Sequence, residues 1–438
     1  MKKLTMILIT SCFLLIIAAF GIECQEERAP APVVDKSEQM PPLSDKLNVD
    51  FFLDGTLSMQ GFVNPGDFTR YVKTLQTIES ITISCWPDNQ PTFSKFGAKI
   101  LPLENREYLK AVLPSFYNDK EIEQQTHIDK VIDAANKNHL TIIITDLFQN
   151  DSDATFLITL LRDKFIKSGL TVGVLGLRSE YRGRIYDIGI NHQVFDYDST
   201  TNAGQPRPFY LLMLGKHADI VYYYEKLKQN NPKLYSVAQF CIFSPFIVNP
   251  LPAFAEARIE SIKKVKMSIA GISNLVNNSN QDNRIRQFIL RGKTAGFKVT
   301  LNYDLLPYTA GFDIAKPDCS INSINYYNKK SSILSTNDAL TIDEIKVSNK
   351  TITLNLIFQA AKMPNNGINC FEIILQPQFS MNNIPGWFTE WDMNDQCVIA
   401  RDGSKTLNLQ SFLTGLCQTN WQVHKPKMVH IYCYIKKE

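Results

Sequence analysis

The sequence predicts an α/β fold, a doubly wound and mostly parallel sheet, followed by a β-rich, sandwich-like domain. Three observations carry that expectation. Between residues 47 and 229, short apolar runs alternate with segments whose apolar residues recur at helical spacing. One run, Thr141-Ile142-Ile143-Ile144-Thr145, is apolar without alternation, as a central strand covered on both faces must be. From about residue 236 the rhythm changes to β-type runs separated by Asn-Asn, Pro-Gly and Asp-Gly turn material.

In the first region Val49 to Leu53 reads as a strand. Phe68, Val72, Leu75 and Ile78 mark a helix, and Ile81 to Cys85 looks strand-like again. Thr92 to Leu103 suits a hairpin. Ile128, Val131, Ile132 and Ala135 form one face of a helix ahead of the Ile142–Ile144 strand. Ala154 to Ile166 reads as helix, the run LTVGVLGL as strand, Phe209 to Leu214 as strand and Ala218 to Leu227 as a closing helix. In the second region the β-type runs are Gln239–Phe243, Lys298–Tyr303, Thr351–Phe358, Phe371–Leu375 and Val429–Tyr434. Only Leu407 to Cys417 looks helical there, and Ile259 to Val276 is ambiguous.

The two ends of this plan follow from composition. The chain has 438 residues, 44% hydrophobic and 20% charged, which suits folded domains rather than disorder. A net charge of +3 with no long basic run gives nucleic acid binding little support. Lys2 and Lys3 precede an uncharged stretch from Leu4 to Ile22, so residues 1–24 read as an export signal or a membrane anchor. Cleavage after Gly21, retention as a spanning helix and lipidation at Cys24 are the alternatives. Each puts the rest of the chain outside the cytoplasm, in a periplasmic or cell-surface setting of bacterial style, tethered to the membrane. Residues 25–46 are charged and carry Pro30, Pro32, Pro41 and Pro42, which predicts an extended linker. Seven cysteines lie beyond it with no Cys-x-x-Cys pair; buried apolar packing is their expected role, though the compartment permits disulfides.

The chemistry concentrates in FFLDGTLSMQGF, residues 51–62. Asp54-Gly55-Thr56-Leu57 resembles the phosphate-transfer loop of haloacid-dehalogenase-type phosphatases. That chemistry needs a nucleophilic aspartate two residues earlier, where this chain has Phe52. The hydrolase reading therefore lacks its attacking atom. Asp54, Thr56 and Ser58 alternate instead, so an extended segment offers a carboxylate and two hydroxyls on one side. A hard cation such as Mg²⁺ binds such oxygens. Thr126 stands at a predicted helix start, where it would serve as N-cap with Asp129 completing a capping-box-like turn. Asp146 directly follows the Ile142–Ile144 strand. In a doubly wound sheet all of these belong at the carboxyl edge, where ligands bind. Each also has a plainer role, since Asp, Thr and Ser at such places cap helices.

Together the segments FFLDGTLSMQGF, QQTHIDKVIDAA and TIIITDL resemble the three metal-ion-dependent adhesion site loops of von Willebrand factor A domains, in the same order. The resemblance covers roughly residues 47–229. It implies Mg²⁺, or Mn²⁺ or Ca²⁺, held by Thr56, Ser58 and Thr126, with Asp54 and Asp146 acting mainly through water. An acidic side chain from a protein partner would complete the shell. The implied function is a binding protein, not an enzyme, that captures its partner through the ion. The alternative is a structural component of an envelope assembly whose A-type domain is a metal-independent scaffold. Two departures bear on this: Thr56 stands where the family has serine, and Gln124-Gln125 precede Thr126 where the family often has glycines. Other motifs are weaker. Arg291-Gly292-Lys293-Thr294 suits a β-turn, because Gln287 occupies the first glycine position of a P-loop. Trp387 to Trp391 suits core packing of the second domain, residues 236–438.

Overall fold

The computed structural model describes residues 28–33, 35–147, 154–188, 193–201, 205–262, 269–271, 275–277, 282–334, 337–393 and 401–438. The expected signal or anchor, residues 1–24, lies outside them, as does Cys397. No helix among the described residues is long and apolar enough to cross a membrane.

The protein is mixed α/β. Its first sheet has seven strands. They are β1 (Val49–Asp54), β2 (Thr92–Phe96), β3 (Ile100–Pro102), β4 (Leu140–Thr145), β5 (Thr171–Ser179), β8 (Arg207–Gly215) and β9 (Gln239–Phe243), in the order β3-β2-β1-β4-β8-β5-β9. A separate hairpin, β6 (Arg182–Ile188) and β7 (Gln193–Asp198), stands between β5 and β8 in the chain. Helices α1 (Leu57–Gln60), α2 (Arg70–Cys85), α3 (Ile128–Ala134), α4 (Ala154–Lys164), α5 (His217–Asn230) and α6 (Leu409–His424) accompany the sheet.

Strand alternation divides the apolar residues between two faces. Phe51, Leu53, Ile142 and Ile144 join a core with Val72, Leu75 and Ile78 of α2 and with Ile220, Tyr223 and Leu227 of α5. Phe52 and Ile143 point the other way, into a core with Val131 and Ile132 of α3, Leu157 and Leu161 of α4 and Leu413 and Leu416 of α6. The continuous apolar run in β4 is buried at every position. Helices thus cover both faces, as the sequence predicts.

The expectation of a mostly parallel sheet is corrected. β1 pairs in parallel with β2 and β4, but β2–β3, β4–β8, β5–β8 and β5–β9 are antiparallel. No helix among the described residues between β5 and β8 carries the chain back to the opposite edge. The β6–β7 hairpin returns it at the same edge, so β8 enters reversed. Ile81 to Cys85 is likewise no strand but the last part of α2. Ile78, Ile81, Thr82 and Cys85 are all buried at spacings of three and four, which continues the helical face inward. Thr69 caps that helix by accepting from Val72 N (3.2 Å), leaving Phe68 outside and 55% exposed.

Beyond β9 a four-stranded sheet (Arg258–Ser261, Thr294–Asn302, Thr351–Gln359, Leu340–Val347) faces a six-stranded one. The six include Ile285–Leu290, Val429–Lys437, Ile368–Phe379 and Phe312–Tyr327. Phe297, Val299 and Leu354 from the first meet Phe371, Ile373 and Ile431 from the second in one core. Ile259, in the stretch that sequence left ambiguous, lies in a strand. Gly292 sits at φ +94° in the short bend between the Ile285–Leu290 and Thr294–Asn302 strands.

Packing crosses from this second half to the first sheet. β9 joins that sheet, and α6 lies on its lower core. Trp387, Phe388 and Trp391 are core residues, as expected, but they pack with Tyr210 and the first sheet rather than within the sandwich. Their place one short helix ahead of α6 carries them there. Cys85, Cys241, Cys370, Cys417 and Cys433 are free and buried, and Cys319 is free and exposed.

The described residues of the expected Pro-rich linker, 28–33 and 35–46, pack on the body. Ala29 is fully buried and bridges to Val276, Glu38 lies among cations of the second half, and Ser44 bonds Asp219 of α5. Composition predicts a tether because apolar content is low. Paired charges and backbone hydrogen bonds dock the segment instead.

Candidate functional site

β1 ends at Asp54, and the chain turns at once into α1. A Cβ on Gly55 would lie 2.4 Å from Cε and 2.6 Å from Cγ of Lys95, so a larger residue at that turn would displace the lysine side chain. Thr56 precedes α1 with extended backbone (φ −82°, ψ 165°), yet its side chain does not cap the helix. Its Oγ1 donates to Asp54 Oδ1 at 2.7 Å and lies 3.2 Å from Ser58 Oγ and 3.1 Å from Thr126 Oγ1. Ser58 Oγ donates to Asp146 Oδ1 at 3.5 Å. The five side chains singled out in the sequence therefore meet at one place, at the carboxyl ends of β1 and β4. All are buried, none more than 9% exposed.

The capping expectation for Thr126 is corrected. α3 begins one residue later, with His127 in the cap position and no side-chain cap bond; His127 Nδ1 and Asp129 Oδ1 lie 3.3 Å apart. Thr126 is turned to the cluster instead. The Gln124 that breaks the glycine pattern has a job of its own. Its Oε1 accepts from Leu57 N (2.9 Å), while its Nε2 donates to the carbonyls of Asp119 (2.6 Å) and Tyr117 (3.3 Å). It ties the second loop to the first.

Three further residues complete the site without any signal in the motif. Thr145, at the end of β4, donates to Asp54 Oδ2 at 2.8 Å. Arg207, the first residue of β8, donates from Nη2 to Asp146 Oδ2 at 3.1 Å and from Nη1 to the Gly403 carbonyl at 3.0 Å; its side chain is 5% exposed. Tyr181 lies against this arginine, 5.4 Å from ring to guanidinium, and donates to the carbonyls of Ser58 (3.2 Å) and Arg184 (2.6 Å). A Cβ on Gly61 would overlap the Tyr181 ring at 2.2 Å, so the tyrosine seats directly on α1's end. Tyr181, Arg207 and the 403–406 segment together close over the cluster. Arg207 stands between two prolines at a strand start, and only the reversed direction of β8 delivers it here.

The electrostatics follow from that closure. Burial, then the neighbouring charge of Asp146, pushes the Asp54 carboxyl up to about 7, against hydrogen bonds from Thr56 and Thr145 that favour ionisation. Among the described residues two carboxylates are buried here, and one guanidinium pairs with Asp146.

Among the described residues no three His, Cys, Asp or Glu side chains gather as a metal centre. The donors here are two carboxylates and three hydroxyls. In an octahedral Mg²⁺ shell with bonds of about 2.1 Å, adjacent oxygens lie about 3.0 Å apart. The Thr56–Ser58 and Thr56–Thr126 separations, 3.2 and 3.1 Å, are those of hydroxyl hydrogen bonds and are also compatible with that edge. Among the described residues, Tyr181 and Arg207 pack against these buried donors. Set against family models and curated proteins, the chain matches none of either.

Proposed function

We propose that the chain is an exported, membrane-tethered, non-catalytic component of an envelope assembly, built on a von Willebrand factor A-like unit that acts as a scaffold. The observation that supports this is Arg207. Its guanidinium pairs with Asp146 inside the buried cluster, so the chain itself supplies positive charge where an ion would otherwise bring it. Contacts with partner proteins then use the flanks of the sheet or the sandwich and do not need an ion. A second reading has its own support in the octahedral spacing of the hydroxyls. In it Thr56, Ser58 and Thr126, with Asp54 and Asp146, hold Mg²⁺ or Mn²⁺. The ion would fix the three loops to one another and, once the cover opens, offer positive charge to an acidic side chain. Phe52 in the place of a nucleophile argues against phosphatase chemistry.

Calorimetric titration of the full-length protein with Mg²⁺ and Mn²⁺ separates the two readings. The scaffold predicts no saturable heat and a melting temperature indifferent to EDTA. Saturable binding that vanishes in Asp54→Ala, with melting lowered by EDTA, would replace the scaffold with the metal site.

A further inference from the structure

The described residues between 28 and 44 lie across the second half of the molecule and end on the first. Ala29 N donates to the Leu275 carbonyl (2.8 Å), and its own carbonyl accepts from Asn277 N (3.0 Å), a strand-like exchange. Ala29 is buried with Leu275, Val276, Ile368, Cys370 and Tyr434, and Tyr434 Oη donates to the Pro30 carbonyl at 3.2 Å. Nine residues on, Glu38 enters a pocket of charge. Its carboxylate meets Arg284 Nη1 (2.9 Å), Lys427 Nζ and His430 Nδ1 (2.8 Å). At the far end Ser44 N and Oγ both donate to Asp219 (2.8 and 2.9 Å), and Trp86 Nε1 donates to the Ser44 carbonyl (2.9 Å).

His430 is the centre of the charged pocket, 5% exposed. Its other nitrogen, Nε2, lies 2.7 Å from Glu372 Oε1 and 2.7 Å from Tyr432 Oη. A carboxylate at each ring nitrogen is satisfied only when both nitrogens carry protons. A neutral ring would turn a lone pair toward one of the carboxylates. The other charged groups facing it are Lys427, Arg284 and, bound to Arg284, Asp282. Hollows of about 530 and 500 Å³ flank the segment at Asp35, Glu38 and Gln39, so it spans the groove without filling it.

We propose that residues 28–33 and 35–44 are a releasable strap, seated like an extended acidic ligand in a receptor groove of the body and latched by His430 in its imidazolium form. The body recognises this chain's own segment by main-chain pairing at Ala29 and by cation capture of Glu38, the two elements of extended-peptide recognition. Raising the pH removes the imidazolium charge and loosens the latch. Arg284 and Lys427 keep Glu38 partly held.

The test uses the full-length protein in mild detergent, with a protease site inserted between the exposed Asp45 and Lys46. After cleavage, retention of the N-terminal fragment is followed by size exclusion. At about pH 6 the fragment should stay, and at about pH 9 it should leave faster. Glu38→Gln should speed release about tenfold at the lower pH. His430→Gln should remove the pH dependence. Near-UV circular dichroism of the cleaved body checks that each variant remains folded. Immediate loss at every pH would show that only chain continuity holds the strap. Retention indifferent to both pH and Glu38 would show apolar contact alone. Either result overturns the latch.

Discussion

Two buried carboxylate clusters divide this molecule, and they solve the same problem in opposite ways. At the rim of the first sheet, hydroxyls of Thr56 and Thr145 bond Asp54 while Ser58 and the Arg207 guanidinium bond Asp146, and burial dominates, holding Asp54 up to about 7. In the strap pocket Glu38 and Glu372 face cations. Burial pushes Glu38 up, but hydrogen bonds from His430 and Lys427 outweigh it and bring the group down to about 2. The His430 bond likewise holds Glu372 at about 2. Burial lowers His430, and its bonds to Glu372 and Glu38 more than restore it, leaving it raised. The lesson is that burial alone does not set a carboxylate's charge; the count and closeness of cations does.

The largest expected effect is at the first cluster. Arg207→Ala leaves Asp146 buried without its guanidinium and should cost about 3–5 kcal/mol in denaturant unfolding. A loss below about 1 kcal/mol would mean that the pair is no more than a surface contact. In the second cluster, Glu38→Gln should cost about 1.5–3 kcal/mol, since it removes charge-assisted hydrogen bonds but leaves a polar side chain.

The pH slopes sharpen the contrast. Glu38 and Glu372 have depressed folded values, so their contribution is present above the ordinary range near 4.3 and fades as the pH falls toward about 2. His430 is raised, so its contribution is full below about 6.5 and is lost as the pH climbs past its folded value. Asp54 runs the other way. As an acid raised to about 7, it favours the folded state least once the unfolded chain ionises, so stability should decline between about pH 4 and 7. Between about pH 4 and 7 the decline should flatten in Asp54→Asn, making the slope less negative, and between about pH 2 and 4.3 the rise should flatten in Glu38→Gln, making the slope less positive. If both variants shift the slope in the same sense, the comparison fails. The smallest effect is Thr126→Val, which removes one hydroxyl from Thr56 and should cost about 1 kcal/mol by thermal or chemical melting.

How much of this was legible beforehand depends on how local each feature is. Asp54, Thr56 and Ser58 lie within one turn of chain, and Asp146 ends a strand whose apolar run announces its burial. Their convergence needed only the order of strands β1 and β4. Arg207 was not legible, because it reaches Asp146 only through the antiparallel entry of β8, which no periodicity encodes. Tyr181 closes the site from the end of β5, and Gln124 replaces glycines by a hydrogen bond that spacing alone does not reveal. Composition predicts a tether at the strap because it counts apolar area. Glu38 is buried by cations drawn from residues 284, 427 and 430, far along the chain.

The amino-acid sequence by itself determined the alternation of strand and helix, the two-faced core of the first sheet and the five oxygen-bearing side chains at its rim. These depend on side chains repeating at periods of two and 3.6, which neighbours along the chain enforce. Tertiary structure alone decided that the rim is closed, that an arginine stands inside it, and that the N-terminal segment is bound to the body. Those outcomes rest on charges meeting across long separations, where a contact's strength depends on burial and distance that no local pattern contains.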